Sequence, residues 1–210
     1  MTTLFNDVPT IKEAEALLLW AEEQNPGLWV SHVKTAARAA STIAGHCGMD
    51  RLRCYTLGLL HDVGRYEGKS ALRHTIAGYD LMMSKGWGKA AAICLTHSFP
   101  LPEIRFYNGK NDCSEQDTWR ICQLLNQIEY DDEIRLVQLC DAISLPSHVT
   151  IMEKRLIEVA LRHGVTPNIS EKWRRFLELK DLFDQKCGQN IYHLFKEEIS
   201  KDLFSLPTLR

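Results

Sequence analysis

A histidine followed directly by an aspartate, His61-Asp62, closes an apolar run in the segment Gly58-Leu59-Leu60-His61-Asp62-Val63-Gly64-Arg65. A neutral imidazole beside a carboxylate is an anchor for a divalent metal ion. Imidazole suits zinc, iron, nickel and copper, whereas carboxylate suits manganese and magnesium, and the mixture points to a catalytic centre rather than a structural one. Company lifts the pair above chance: His32 lies upstream, and His74, His97 and Asp141 lie downstream. His32, His61, Asp62 and Asp141 can hold one ion. Asp62, with two oxygens, can bridge to a second ion completed by His74 and His97. Two ions ~3.5–4 Å apart would polarise a phosphoryl oxygen and share a water, lowering its pKa until hydroxide is available near neutrality. Such chemistry further needs cations that orient a phosphate. Arg65 and Lys69 are the best placed, ahead of Arg73, Arg105 and Lys110.

Helices must carry these side chains to one place. Thr10-Ile11-Lys12-Glu13 has the form of a capping box and opens a helix to about Glu23. Asn25-Pro26 reads as cap and first-turn proline of a second helix reaching about His46. Along it Trp29, Val33, Ala36, Ala37, Ala40 and Ala44 form one apolar stripe, with His32 beside it and turned inward. Asp50 caps a third helix that ends at the His-Asp pair, with Gly64 as its stop. A fourth helix spans roughly Leu72 to Lys85, halted by Gly86, and a fifth runs from Trp87 to about Ser98, where the row Ala90, Ile93, Cys94 and His97 buries the last histidine. Ser98 to Cys113 is a long irregular stretch of the kind that forms lids or binding loops. Ser114 and Asp131 start two more helices, and in the second Ile134, Val137, Gln138 and Asp141 share a face toward the core. Further helices are expected around Thr150 to His163, Ser170 to Lys186 and Ile191 to Leu203. Strand alternation and internal repeats are absent, so the fold class is all-α.

At 210 residues the chain fits a single all-helical domain, with residues 28–145 as the metal-binding core and 146–210 as a helical extension. A net charge of −2 supplies no general field for nucleic acid or anionic membrane, so an anionic ligand must be held locally. Seven cysteines without paired Cys-x-x-Cys spacing, and no signal peptide, are read as reduced thiols in a cytoplasm. No apolar run approaches the ~20 residues that cross a bilayer. His46, His148, His163 and His193 lack an inward-facing context, and the tryptophans are read as core packing rather than a stacking platform. The amphipathic C-terminal helices can pack against a second copy of the chain, making a homo-oligomer.

The order His32, His61-Asp62, Asp141 resembles the HD superfamily of metal-dependent phosphohydrolases, and Leu59-Leu60-His61-Asp62-Val63-Gly64-Arg65 is similar to its central segment. Arg73-His74-Thr75-Ile76-Ala77-Gly78 and Leu95-Thr96-His97-Ser98 extend the likeness to variants with two extra histidines. The resemblance covers roughly Trp29 to Ser144 and implies an HD-type helical bundle, a divalent metal centre and hydrolysis of phosphate esters, often in nucleotides. Features of the branch that acts on cyclic dinucleotides are missing. The expected activity is cleavage of a phosphoester or phosphoanhydride in a nucleotide or small phosphorylated metabolite. One or two divalent ions (manganese, iron, cobalt, nickel, zinc or magnesium) would serve it, with Asp62 as both bridge and acceptor from the attacking water. Two other classes fit the same residues: a di-iron oxygenase, and a regulatory module whose metal only stabilises the fold.

Overall fold

The computed structural model describes residues 8–204, and these contain ten α-helices, three 3₁₀ turns and no strand. The helices are α1 (Ile11–Gln24), α2 (Leu28–His46), α3 (Arg51–Leu60), α4 (Arg73–Ser84), α5 (Gly88–Thr96), α6 (Glu115–Gln127), α7 (Asp132–Ile143), α8 (Met152–His163), α9 (Ile169–Cys187) and α10 (Lys196–Phe204). Local caps explain several starts. The Thr10 hydroxyl accepts from the Glu13 amide while the Glu13 carboxylate accepts from the Thr10 amide, a complete capping box for α1. Asp50, Ser114 and Asp131 cap α3, α6 and α7 through side-chain oxygens that accept from first-turn amides.

Two expectations about helix ends need correction. Asn25 does not start α2; it closes α1, and Gly27 holds the cap position. Its side-chain amide instead donates to the Arg65 carbonyl at 2.7 Å, and its own carbonyl accepts from the Trp29 indole at 2.8 Å. The α1–α2 corner is thereby tied to the turn that follows the His-Asp pair. Gly64 is not a left-handed helix stop either. It lies inside the 3₁₀ turn Val63–Glu67, outside the positive-φ glycines, and is required by contact. A β-carbon there would fall 2.0 Å from the His74 carbonyl oxygen and 2.4 Å from the Gly78 nitrogen. That closeness lets α4 lie directly over the turn.

Two apolar clusters form the interior, and α2, α3 and α7 contribute to both. One gathers Val33, Leu57, Leu60, Ile76, Ile93 and Phe99, and the other Ala40, Ile43, Leu139, Ile143, Phe176 and Phe183. Burying each such side chain contributes about 1.5–3 kcal/mol. The alanine stripe of α2 lets α3 come unusually near: a β-carbon on Gly58 would sit 2.8 Å from the Ala37 Cα. The tryptophans are not uniformly core. Trp119 is 65% exposed, because Ile121 and Leu125 occupy the buried face of α6 opposite it. Trp20 is also exposed, with its ring 5.0 Å from that of Tyr66.

The C-terminal helices pack on α2 and α7 through Phe176, Leu179 and Phe183. Glu198 of α10 pairs with both terminal nitrogens of Arg38 at 2.8 and 2.7 Å. No helix among the described residues is long and apolar enough to cross a membrane.

Candidate metal centre

Three of the four inward histidines sit at or beside helix ends. His61 follows the last residue of α3, His97 follows the last residue of α5, and His74 is second in α4. Each uses Nδ1 on the backbone carbonyl three residues earlier. His61 reaches Gly58 at 2.7 Å, His97 reaches Cys94 at 2.9 Å, and His74 reaches Ala71. A carbonyl only accepts, so Nδ1 carries the proton and the Nε2 lone pair is left free. This is the arrangement of a ligating histidine, with ring and tautomer fixed from behind. The His74 support is itself held from a distance: the Asp112 carboxylate accepts from the Ala71 and Arg73 amides at 2.7 and 2.8 Å.

The free nitrogens converge on Asp62. His74 Nε2 lies 3.1 Å and His97 Nε2 3.4 Å from Asp62 Oδ1, and the two nitrogens are 3.2 Å apart. With no proton on those nitrogens, Asp62 Oδ1 is buried without a hydrogen bond, as is His61 Nε2. Three ligand atoms bound to one ion at ~2.1 Å and at angles of roughly 90–110° would be separated by about 3.0–3.4 Å. The observed triangle fits that spacing, and the residues therefore suit a divalent ion. A second group, His32, His61 and Asp62, brings its ligand atoms within 4.8 Å of one another, so Asp62 belongs to both clusters. Asp141 stands beside this group, with Oδ1 2.9 Å from His32 Nε2 and 3.8 Å from His61 Nε2. All six residues read from the sequence thus meet in one place. His32, His61, Asp62, His74 and His97 are buried, while the Asp141 side chain keeps 24% of its surface open.

Electrostatics favour the ligand forms of His61, His74, Asp62 and Asp141 and oppose that of His97. Burial pushes the His61 imidazole down to about 4, against the opposing pull of Asp62 and Asp141. His74 is lowered by burial and then by the Arg65 charge. Burial also lowers His97, but the carboxylates of Asp62 and Asp141 outweigh it and its pKa rises. Burial alone would raise Asp62, yet Arg65 and His74 hold it well below the usual carboxylate range. Asp141 is likewise lowered against burial, chiefly by His32. The centre offers two carboxylates and, at His61 and His74, imidazoles biased toward neutrality.

The cations are arranged less simply. Arg65 Nε donates to Asp62 Oδ2 at 2.6 Å, so the guanidinium fixes the outer oxygen while Oδ1 faces the imidazoles. Its i,i+3 spacing from Asp62 was a readable signal for that pair. Lys69 is exposed in the bend between the 3₁₀ turn and α4. Arg73 is engaged by Glu67 and Asp117, and Arg105 by Glu103 and Glu171.

All-helical among its described residues, the chain carries two histidine–carboxylate clusters that share one aspartate and could hold divalent metal. The HD domain family matches residues 29–145, more than half of the chain, and the chain belongs to that family. HD domains are typical of metal-dependent phosphohydrolases. Comparison with curated proteins and with solved structures gave no match.

Proposed function

We propose that the chain is a metal-dependent phosphohydrolase acting on a phosphoester or phosphoanhydride of a small phosphorylated metabolite, with nucleotides as the leading class. The observation that carries this reading is the pair of clusters sharing Asp62, with a triangle of ligand atoms at metal spacing in one of them. His32, His61, Asp62 and Asp141 would hold one ion, and Asp62, His74 and His97 the other. Such ions supply Lewis-acid polarisation of a phosphoryl oxygen and an acidified water. The protein's own groups do the positioning. The carbonyls of Gly58, Ala71 and Cys94 lock the imidazoles, and Arg65 orients the Asp62 carboxylate. Arg65 Nη2, free of partners among the described residues, and the exposed Lys69 are the cations available to an incoming phosphate. With metal bound, Asp62 would also accept a hydrogen bond from the attacking water.

Metal identity follows availability among manganese, iron, cobalt, nickel, zinc and magnesium, since mixed His/Asp ligation accepts each of them. The test is phosphate release from a panel of nucleotides and phosphorylated metabolites by protein loaded with each metal in turn. Metal-dependent release is expected, abolished by a chelator. Chelation should also lower the melting temperature by about 5–10 °C, since an ion present at ~100 times its Kd stabilises by about 2.7 kcal/mol. Bound metal without release from any compound would contradict the reading, as would iron-loaded protein that consumes dioxygen and frees no phosphate.

A further inference from the structure

The first turn of α9 places Lys172 in the interior, only 7% exposed. Its Nζ donates to the Ser98 carbonyl at 3.3 Å, and Ser98 directly follows His97. The other two buried lysines both face carboxylates: Lys89 meets Asp131 and Glu133, and Lys180 meets Asp184 at 2.6 Å. Lys172 has no carboxylate partner among the described residues. An ammonium carries three N–H donors; one long bond to a neutral carbonyl, with the Phe176 ring 5.8 Å from Nζ, leaves two without an acceptor. A buried charge with so little compensation is costly.

A structural role as a cap for the end of α5 does not require that charge. Gln138 already shows how a neutral donor serves there, with its amide donating to the Thr96 and Phe99 carbonyls at 2.9 and 2.7 Å. Gln138 is also one turn before Asp141 on α7, so the Thr96–Phe99 segment joins Lys172 to the helix that carries that carboxylate. Asp141 in turn acts on the lysine electrostatically: burial pushes the amine down to about 8 while the Asp141 charge pulls it up. Arg105 and Glu171, 3.9 Å apart, bring the loop after Ser98 toward the same turn of α9.

We propose that the Lys172 ammonium is an anion-binding group of the metal site that holds a phosphate oxygen of the substrate. It rests on the phosphohydrolase reading and extends the site to α9, beyond the HD segment that ends at residue 145. Arg65 Nε is committed to Asp62 and only Nη2 is left for phosphate, so Lys172 supplies a second positive charge, from the opposite part of the chain.

Isothermal titration of metal-loaded protein with inorganic phosphate tests the proposal without requiring turnover. Lys172→Met should bind phosphate roughly ten- to a hundredfold more weakly than the wild type, the range for loss of one charge-assisted hydrogen bond. Its metal content should be unchanged and its melting temperature equal or higher, because a buried charge has been removed. Lys172→Arg should recover part of the affinity. If Lys172→Met fails to fold, Lys172→Gln takes its place in the same comparison. Equal phosphate affinity in wild type and variant, with a lower melting temperature in the variant, would reduce Lys172 to a helix cap and overturn the proposal while leaving the hydrolase reading intact. Metal-loaded wild type that binds no phosphate would overturn both. Lys172-dependent phosphate binding in a protein that hydrolyses no phosphorylated compound would sustain the anion site and remove the hydrolase.

Discussion

Replacing Asp62 by alanine is expected to abolish activity, lowering kcat/KM by ~10³-fold or more, and to strip metal from both clusters together. The reason is geometric: one carboxylate belongs to both groups of ligand atoms, and Oδ1 forms two edges of the triangle with His74 and His97. The same change leaves the Arg65 guanidinium without its carboxylate. Breaking a fully buried pair costs about 3–5 kcal/mol, but the Arg65 side chain is 29% exposed and water screens it. About 1–2 kcal/mol of metal-free stability is therefore the expected loss, with helical circular dichroism preserved. Asp62→Asn separates the two effects, because an amide oxygen can still accept from Arg65 while the ligand charge is gone. It should recover much of the metal-free stability and none of the activity. An Asp62→Ala protein that keeps full metal and turnover would place the chemistry elsewhere.

Gly64→Ala should be among the most destabilising single changes in the chain, costing more than ~3 kcal/mol in a urea or thermal melt. Ordinary overpacking costs about 1–3 kcal/mol because side chains move aside. Here the added carbon meets main chain, at 2.0 Å from the His74 carbonyl oxygen and 2.4 Å from the Gly78 nitrogen. Backbone in a helix cannot yield without the helix moving. α4 must shift away from the 3₁₀ turn, and with it goes His74, a vertex of the ligand triangle. The surviving folded fraction should therefore lose the His74–His97 ion before the one at His32 and His61. Stability within about 1 kcal/mol of wild type would show that α4 does not rest on Gly64 as closely as described.

What could be read without coordinates was whatever rests on neighbours in sequence. Thr10, Asp50, Ser114 and Asp131 announce their helices because an N-cap acts within three residues. The six candidate ligands could be proposed because His61-Asp62 is contiguous, His32, His97 and Asp141 fall on inward faces of amphipathic helices, and His74 lies in a segment similar to that of the two-histidine variants. Long-range partners were not legible. Asn25 has the type of an N-cap but spends its amide on Arg65, 40 residues away. Asp112 supports the start of α4 from the loop before α6, and nothing in its neighbourhood says so. Gly64 was visible as special, but glycine does not itself declare whether it permits a positive φ or a close approach. Arg65 was expected to face phosphate, and its i,i+3 spacing from Asp62 already favoured the pair that forms. Lys172 carries no local signature, since a lysine in the first turn of an amphipathic helix usually faces water.

The most direct measurement is metal stoichiometry, by elemental analysis of protein loaded with manganese or iron and freed of excess ion. Two ions per chain are expected in the wild type, one in His74→Ala, and none in Asp62→Ala. Wild-type protein that retains no ion, or a His74→Ala protein that retains as many as the wild type, would contradict a centre shared through Asp62.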